Sequence, residues 1–256
     1  MKVKYVKIMG ERNSGTNYLD ALIRKNFDVS ILPGNVPKSF NRILGYEWFR
    51  DLYFRQTECR NLGWKHAIAP EKNLIDESGL TDKVGFICVA KNPYAWLLSM
   101  HKRPYHGCDC INSFDEFLVS PWASVGRERY IEPFQNPIDL WNKKNGSYIR
   151  LCSYANAMII SYESILQDTQ NVIKKVGRQL GIKQAQSKVV NINKGTKGDQ
   201  KSFEYYKDYY LNRRWVLKLS NKNVKCINSV LSDSVMSQFG YEAIMENHYG
   251  LKCDDE

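Results

Sequence analysis

Residues 2–9 alternate charged and apolar positions, Val3, Tyr5 and Val6 being followed by Ile8 and Met9, and the run stops at Gly10 and a polar stretch. Period-two alternation predicts a strand. Tyr18, Leu19, Leu22 and Ile23 then recur at helical spacing, so the segment reads as strand, glycine loop, helix. Residues 84–90 form a continuous apolar run rich in β-branched side chains, the pattern of a strand buried on both faces of a parallel sheet. Pro93 suits the first turn of a following helix, whose apolar face is Trp96, Leu97 and Met100. Residues 155–162 predict a third buried strand, and residues 166–180 a periodic helix stopped by Gly181. Strands alternating with helices imply an α/β fold with a central, mostly parallel sheet flanked by helices. No linker divides the chain, so one domain over residues 1–256 is expected, with residues 250–256 a frayed tail. Residues 191–201 are a polar, basic, glycine-bearing loop, and Tyr- and Arg-rich helical patterns follow.

Composition narrows this picture. The 256 residues include 16 Tyr, 10 Phe and 6 Trp, with 43% hydrophobic positions, which suits a folded core and excludes a disordered chain. The 37 Lys and Arg outnumber the 27 Asp and Glu, giving a net charge of +10. That excess fits nucleic acid, a membrane surface or a phosphorylated or sulfated ligand, and equally a solvated basic surface. The start of the chain lacks the apolar run of a signal peptide, and no stretch approaches the ~18 apolar residues of a membrane span, so no stable membrane insertion is expected. Seven scattered cysteines predict reduced thiols in a cytoplasm rather than a disulfide framework.

The loop Gly10-Glu-Arg-Asn-Ser-Gly15-Thr-Asn17 lies where α/β folds bind anions, between the end of a strand and the start of a helix. A nucleotide-binding P-loop reads G-x-x-x-x-G-K-[ST]. The glycine spacing agrees, but Thr16 stands at the lysine position and Asn17 at the hydroxyl that holds Mg²⁺. A phosphate cradle without either is a poor kinase and a fair holder of a phosphate whose transferred group carries less charge.

Residues 12–18, Arg-Asn-Ser-Gly-Thr-Asn-Tyr, resemble the K-S-G-T-T-W loop of sulfotransferases that use 3′-phosphoadenosine 5′-phosphosulfate (PAPS). Aligning Ser14, Gly15 and Thr16 puts Tyr18 on the aromatic that packs on adenine and Asn13 on the lysine that stabilises the departing bridging oxygen. The resemblance then leaves Arg12 to supply that charge, and Asn17 within the cradle. Lys91 and Ser99, eight residues apart, match the Arg and Ser that grip the nucleotide's 3′-phosphate, with the guanidinium fork replaced by an ammonium. Residues 62–70 resemble the family's short strand ending in K-T-H-x-P, which makes His66 the general base, with Lys65 directly before it. Tyr162 and Glu163 resemble the Y-E-D position near the adenine. Asn193, Lys194 and Gly195 match an R-K-G loop that contacts the 3′-phosphate, with Asn193 in the arginine's place. The five segments occur in the family's order.

The resemblance implies in-line transfer of a sulfuryl group from PAPS to a hydroxyl or amine of a small-molecule or glycan acceptor, with 3′-phosphoadenosine 5′-phosphate (PAP) as product and no metal. Residues 30–60 and 102–146 match nothing in the family and are expected to build the acceptor pocket, Phe40, Tyr46, Trp48, Phe49, Tyr53, Trp122, Tyr130 and Trp141 being available for stacking or for the core. Three other readings stand beside it. His101, His106, Cys108 and Cys110 offer zinc ligands at an unusual spacing. Arg213, Arg214 and Trp215 offer a nucleic-acid surface, against the resemblance's expectation of none. A degenerate P-loop kinase is the third.

Overall fold

The computed structural model describes residues 3–40, 46–105, 113–130, 132–193 and 201–245. Four parallel strands form one sheet in the order β2-β1-β3-β4: β1 is Tyr5–Met9, β2 Ser30–Ile31, β3 Val84–Ala90 and β4 Ala157–Ser161. Every residue of β3 is buried, as its uninterrupted apolar run demands for a central strand covered on both faces. The two-residue β2 escapes sequence reading because it is too short to show a period.

Helix α1 (Thr16–Asn26) follows β1 and buries Tyr18, Leu19, Leu22 and Ile23. Helix α2 (Glu47–Asn61) and the short α3 (Lys72–Glu77) precede β3. Helix α4 (Pro93–Lys102) opens on Pro93 behind the cap Asn92 and buries Trp96, Leu97 and Met100, as its spacing predicts. Helices α5 (Phe114–Val119) and α6 (Pro137–Leu151) lead to β4. The single helix predicted over 166–180 is two, α7 (Tyr162–Gln167) and α8 (Thr169–Leu180). Asp168 separates them: its backbone is non-helical and its carboxylate accepts from Asn171 N, capping α8, which ends at the left-handed Gly181. Tyr162 therefore begins a helix instead of ending a strand. Helices α9 (Phe203–Leu211), α10 (Asn221–Asn228) and α11 (Asp233–Gln238) complete the order.

Residues 62–70 are irregular, where a short strand was expected. Leu62 and Gly63 take positive φ, 59° and 80°, which breaks any extended run. The segment is held instead by Gly10 N donating to Lys65 O at 2.9 Å and by Lys65 N donating to Gly34 O at 3.2 Å. Lys7, on the polar side of the β1 alternation, is fully buried; its ammonium donates to the carbonyls of Pro33, Asn61 and Gly63 at 2.8, 2.6 and 2.5 Å. Burial first, then Arg129 and Lys65, hold its pKa well below the usual lysine range. One side chain thus ties β1 to the segment after β2 and to the end of α2. Among the described residues, no helix is long and apolar enough to cross a membrane.

Candidate functional site

The loop from Gly10 to Gly15 leaves the carboxyl end of β1 and enters α1. Gly15 caps the helix at φ 90°, and a Cβ there would fall 2.4 Å from the Tyr162 ring, so only glycine fits. It brings no side chain to the first-turn amides of α1, which keeps the positive end of an eleven-residue helix open to an anion. Asn13 also has positive φ, 65°, and its amide donates to Ser99 O at 3.3 Å, tying the loop to α4. Trp96 Nε1 donates to Arg12 O at 2.8 Å, and Trp141 Nε1 to Lys91 O at 3.1 Å, so two fully buried indoles fix the backbone on either side.

Two cavities meet at this loop. One, of about 380 Å³, is lined by Tyr18, Lys91, Ser99, Tyr162, Phe203 and Tyr210 among others. The second, of about 620 Å³, is lined by Arg12, Thr16, Asn17, Lys65 and His66, and by residues from the segments that match no family pattern, including Arg50, Phe54, Tyr105 and Arg127. Asn13 and Gly15 line both.

In the smaller cavity Tyr18 packs against Tyr162 and Phe203, with ring centroids 6.4 and 6.3 Å apart, and its hydroxyl donates to Asn191 Oδ1 at 2.7 Å. Lys91 is buried, with its ammonium 4.9 Å from the Tyr162 ring centroid and 4.3 Å from that of Tyr210. Ser99 stands two turns along α4, on the same cavity wall. Ser14 is buried beneath the loop, its N donating to Glu11 O at 3.1 Å, and is not among the cavity linings described above.

On the other side His66 Nδ1 lies 2.6 Å from Gly10 O. A carbonyl only accepts, so Nδ1 carries the proton and Nε2 the lone pair. Burial, then the charges of Lys65 and Arg12, depress the His66 pKa well below its usual value, which keeps the imidazole neutral. Trp64 meets it edge-on at 5.0 Å. Lys65 Nζ donates to Asn17 Oδ1 at 2.6 Å, and burial lowers its pKa to about 8.

Arg12 sits in a buried charge cluster. Its guanidinium meets Glu128 at 3.0 Å and Glu11 at 3.1 Å, and it stacks over Trp64 at 5.1 Å. The fully buried Lys144 also pairs with Glu11, donates to Glu128 at 3.0 Å and donates to His66 O at 2.7 Å. Two cations and two carboxylates thereby balance beneath the histidine's backbone.

Of the residues singled out from the sequence, the fold brings His66, Lys65, Arg12, Thr16 and Asn17 to one cavity, Tyr18, Lys91, Ser99 and Tyr162 to the other, and Asn13 and Gly15 to both. Lys194 and Gly195 lie outside the described residues, as do His106, Cys108 and Cys110 of the zinc reading; His101 packs on Phe114 and Phe117. Trp122 and Trp141 are core, whereas Phe40, Tyr46 and Trp48 are exposed. Trp215 is buried, which removes it as a base-stacking surface. Sequence reading missed Glu11, Glu128, Lys144 and Tyr210. Only Tyr210 carried a local signal, the i, i+4 tyrosine pairs 205/209 and 206/210.

A parallel sheet with a glycine loop at the end of its first strand, beside two cavities that share Asn13 and Gly15, is where α/β folds place their ligand sites. Residues 4–229 match the sulfotransferase domain model, and the chain belongs to that family. Among solved structures it is similar to the sulfotransferase domain from the curacin biosynthetic pathway (12% identity, 95% of this chain and 99% of that one, TM-score 0.45). It is also similar to a sulfotransferase from Alicyclobacillus acidocaldarius (14%, 90% and 96%, 0.45) and to a mouse sulfotransferase complexed with PAP (14%, 73% and 62%, 0.40). No curated protein matches it in sequence.

Proposed function

We propose that this sulfotransferase uses PAPS and transfers its sulfuryl group to an acceptor hydroxyl in the larger cavity. The observation that carries the reading is the shared wall: Asn13 and Gly15 line both cavities, so a nucleotide seated against Lys91 and Ser99 would present its 5′ end to His66 across the loop. The residues suit such a ligand. Tyr18, Tyr162 and Phe203 offer apolar faces for a purine, Lys91 and Ser99 offer charge and a hydroxyl for a phosphate, and the open start of α1 offers amides. Lys194 and Gly195 belong to the same proposed nucleotide site.

His66 Nε2 takes the acceptor's proton as the acceptor oxygen forms its bond to sulfur and the bond from sulfur to the bridging phosphate oxygen breaks. Lys65 meets the charge left on that oxygen. We assign this to Lys65 ahead of Arg12, because Arg12 is already matched by Glu11 and Glu128 while Lys65 hydrogen-bonds the neutral Asn17 amide.

Calorimetry with PAP and transfer from labelled PAPS to a panel of saccharides and phenols test the reading. His66→Ala should bind PAP with unchanged affinity and lose turnover by about 10²-fold or more. No PAP binding by the wild type at high micromolar ligand overturns the nucleotide assignment, and undiminished turnover in the variant removes His66 as base.

A further inference from the structure

Tyr210 stands on both residues that the resemblance assigns to the 3′-phosphate. It lies in the last turn of α9, far in sequence from β3 and α4, and is buried. The Lys91 ammonium donates to its hydroxyl oxygen at 2.9 Å, and Ser99 lines the same cavity wall. Its ring meets Tyr162 at 5.2 Å and 84°, and Tyr206 stacks on it at 6.3 Å, so the ring has little freedom to turn away. Burial favours the neutral phenol, but the charge and the hydrogen bond of Lys91 work against it and the Tyr210 pKa lies below its usual value.

Both family-matching arginines of this subsite are absent: Lys91 replaces one and Asn193 the other. An ammonium cannot supply the forked pair of donors a guanidinium offers a phosphate. A phenol whose oxygen already accepts from Lys91 has its own proton to give. Ser99 Oγ donates to Ala95 O at 2.8 Å and can accept that proton, and so can a phosphate oxygen.

We propose that Tyr210 is a ligand of the nucleotide's 3′-phosphate, donating its hydroxyl proton to a phosphate oxygen beside Lys91 and Ser99, and that it makes the cavity selective for nucleotides carrying that phosphate. This rests on the PAP reading above. Such a bond is charge-assisted and fixed in direction, and it distinguishes PAP from AMP, which lacks the 3′-phosphate and is otherwise the same molecule.

The test is calorimetry of PAP and AMP with the wild type, Tyr210→Phe, and Ser99→Ala, with thermal melts to check folding. Tyr210→Phe keeps the ring that packs on Tyr162 and Lys91 and removes the hydroxyl alone. The wild type should prefer PAP. Tyr210→Phe should weaken PAP about tenfold or more, the loss expected for one hydrogen bond to a charged group, while AMP changes less than about twofold. Ser99→Ala should lower PAP affinity in the same nucleotide-selective manner. An equal loss for both nucleotides overturns the proposal by making Tyr210 part of the wall, and an unchanged PAP affinity overturns it outright; both leave the PAP reading standing. A wild type that binds neither nucleotide, or both equally, overturns that reading and the proposal with it.

Discussion

The chemistry of the two residues next to each other at positions 65 and 66 comes from where they are buried, and it sets a pH profile. His66 has a folded pKa below its free value, so it stays an unprotonated base through pH 6.5 and is lost as pH falls further. Lys65 loses its charge as pH rises through about 8. The rate constant kcat/KM should therefore hold flat near neutrality, fall on the alkaline side near pH 8, and fall on the acid side only well below pH 6.5. Lys65→Arg should carry the alkaline limb upward by keeping its charge; an unmoved limb in a pH–rate series would detach it from Lys65. That a histidine stands beside the first loop was legible from the motif at residues 62–70. That its proton sits on Nδ1 was not, because Gly10, the carbonyl that fixes it, is 56 residues away.

Elements declared themselves where burial is continuous or periodic. β3, α1 and α4 follow directly from apolar runs and from 3.6-residue spacing, and Pro93 marked the start of α4. The irregular 62–70 segment and the break at Asp168 did not: the first is held by hydrogen bonds to Gly10 and Gly34, far away in sequence, and the second turns on one side-chain cap that interrupts an otherwise helical pattern. Asp168→Ala removes the α8 cap and should cost about 1 kcal/mol, read as a lower melting temperature with nucleotide binding intact. Gly15→Ala sits at another element boundary, yet should behave differently. The new Cβ meets the Tyr162 ring, so PAP affinity should fall by about tenfold or more as the loop shifts, visible by calorimetry even if the fold survives.

Across the whole molecule, the four-residue charge cluster gathers Glu11 and Arg12 from the first loop, Glu128 from the segment before α6 and Lys144 from α6 itself. Removing one member leaves a buried charge uncompensated. Lys144→Met should destabilise the protein by about 3–5 kcal/mol in denaturant unfolding and lower turnover as well, since the same ammonium holds His66 O. A variant as stable as the wild type would show that the cluster is dispensable. By itself the sequence determined the α/β class, the strands and helices of long apolar pattern, and the ordered motifs that name the family, because these depend on neighbours within a few residues. The tertiary structure alone decided that Asn13 and Gly15 line two cavities, that Arg12 pairs with Glu11 and Glu128 while Lys65 hydrogen-bonds Asn17, and that Tyr210 reaches Lys91 across 119 residues of chain. Long-range packing brings these groups together, and burial then sets their charge; neither leaves a mark on local spacing.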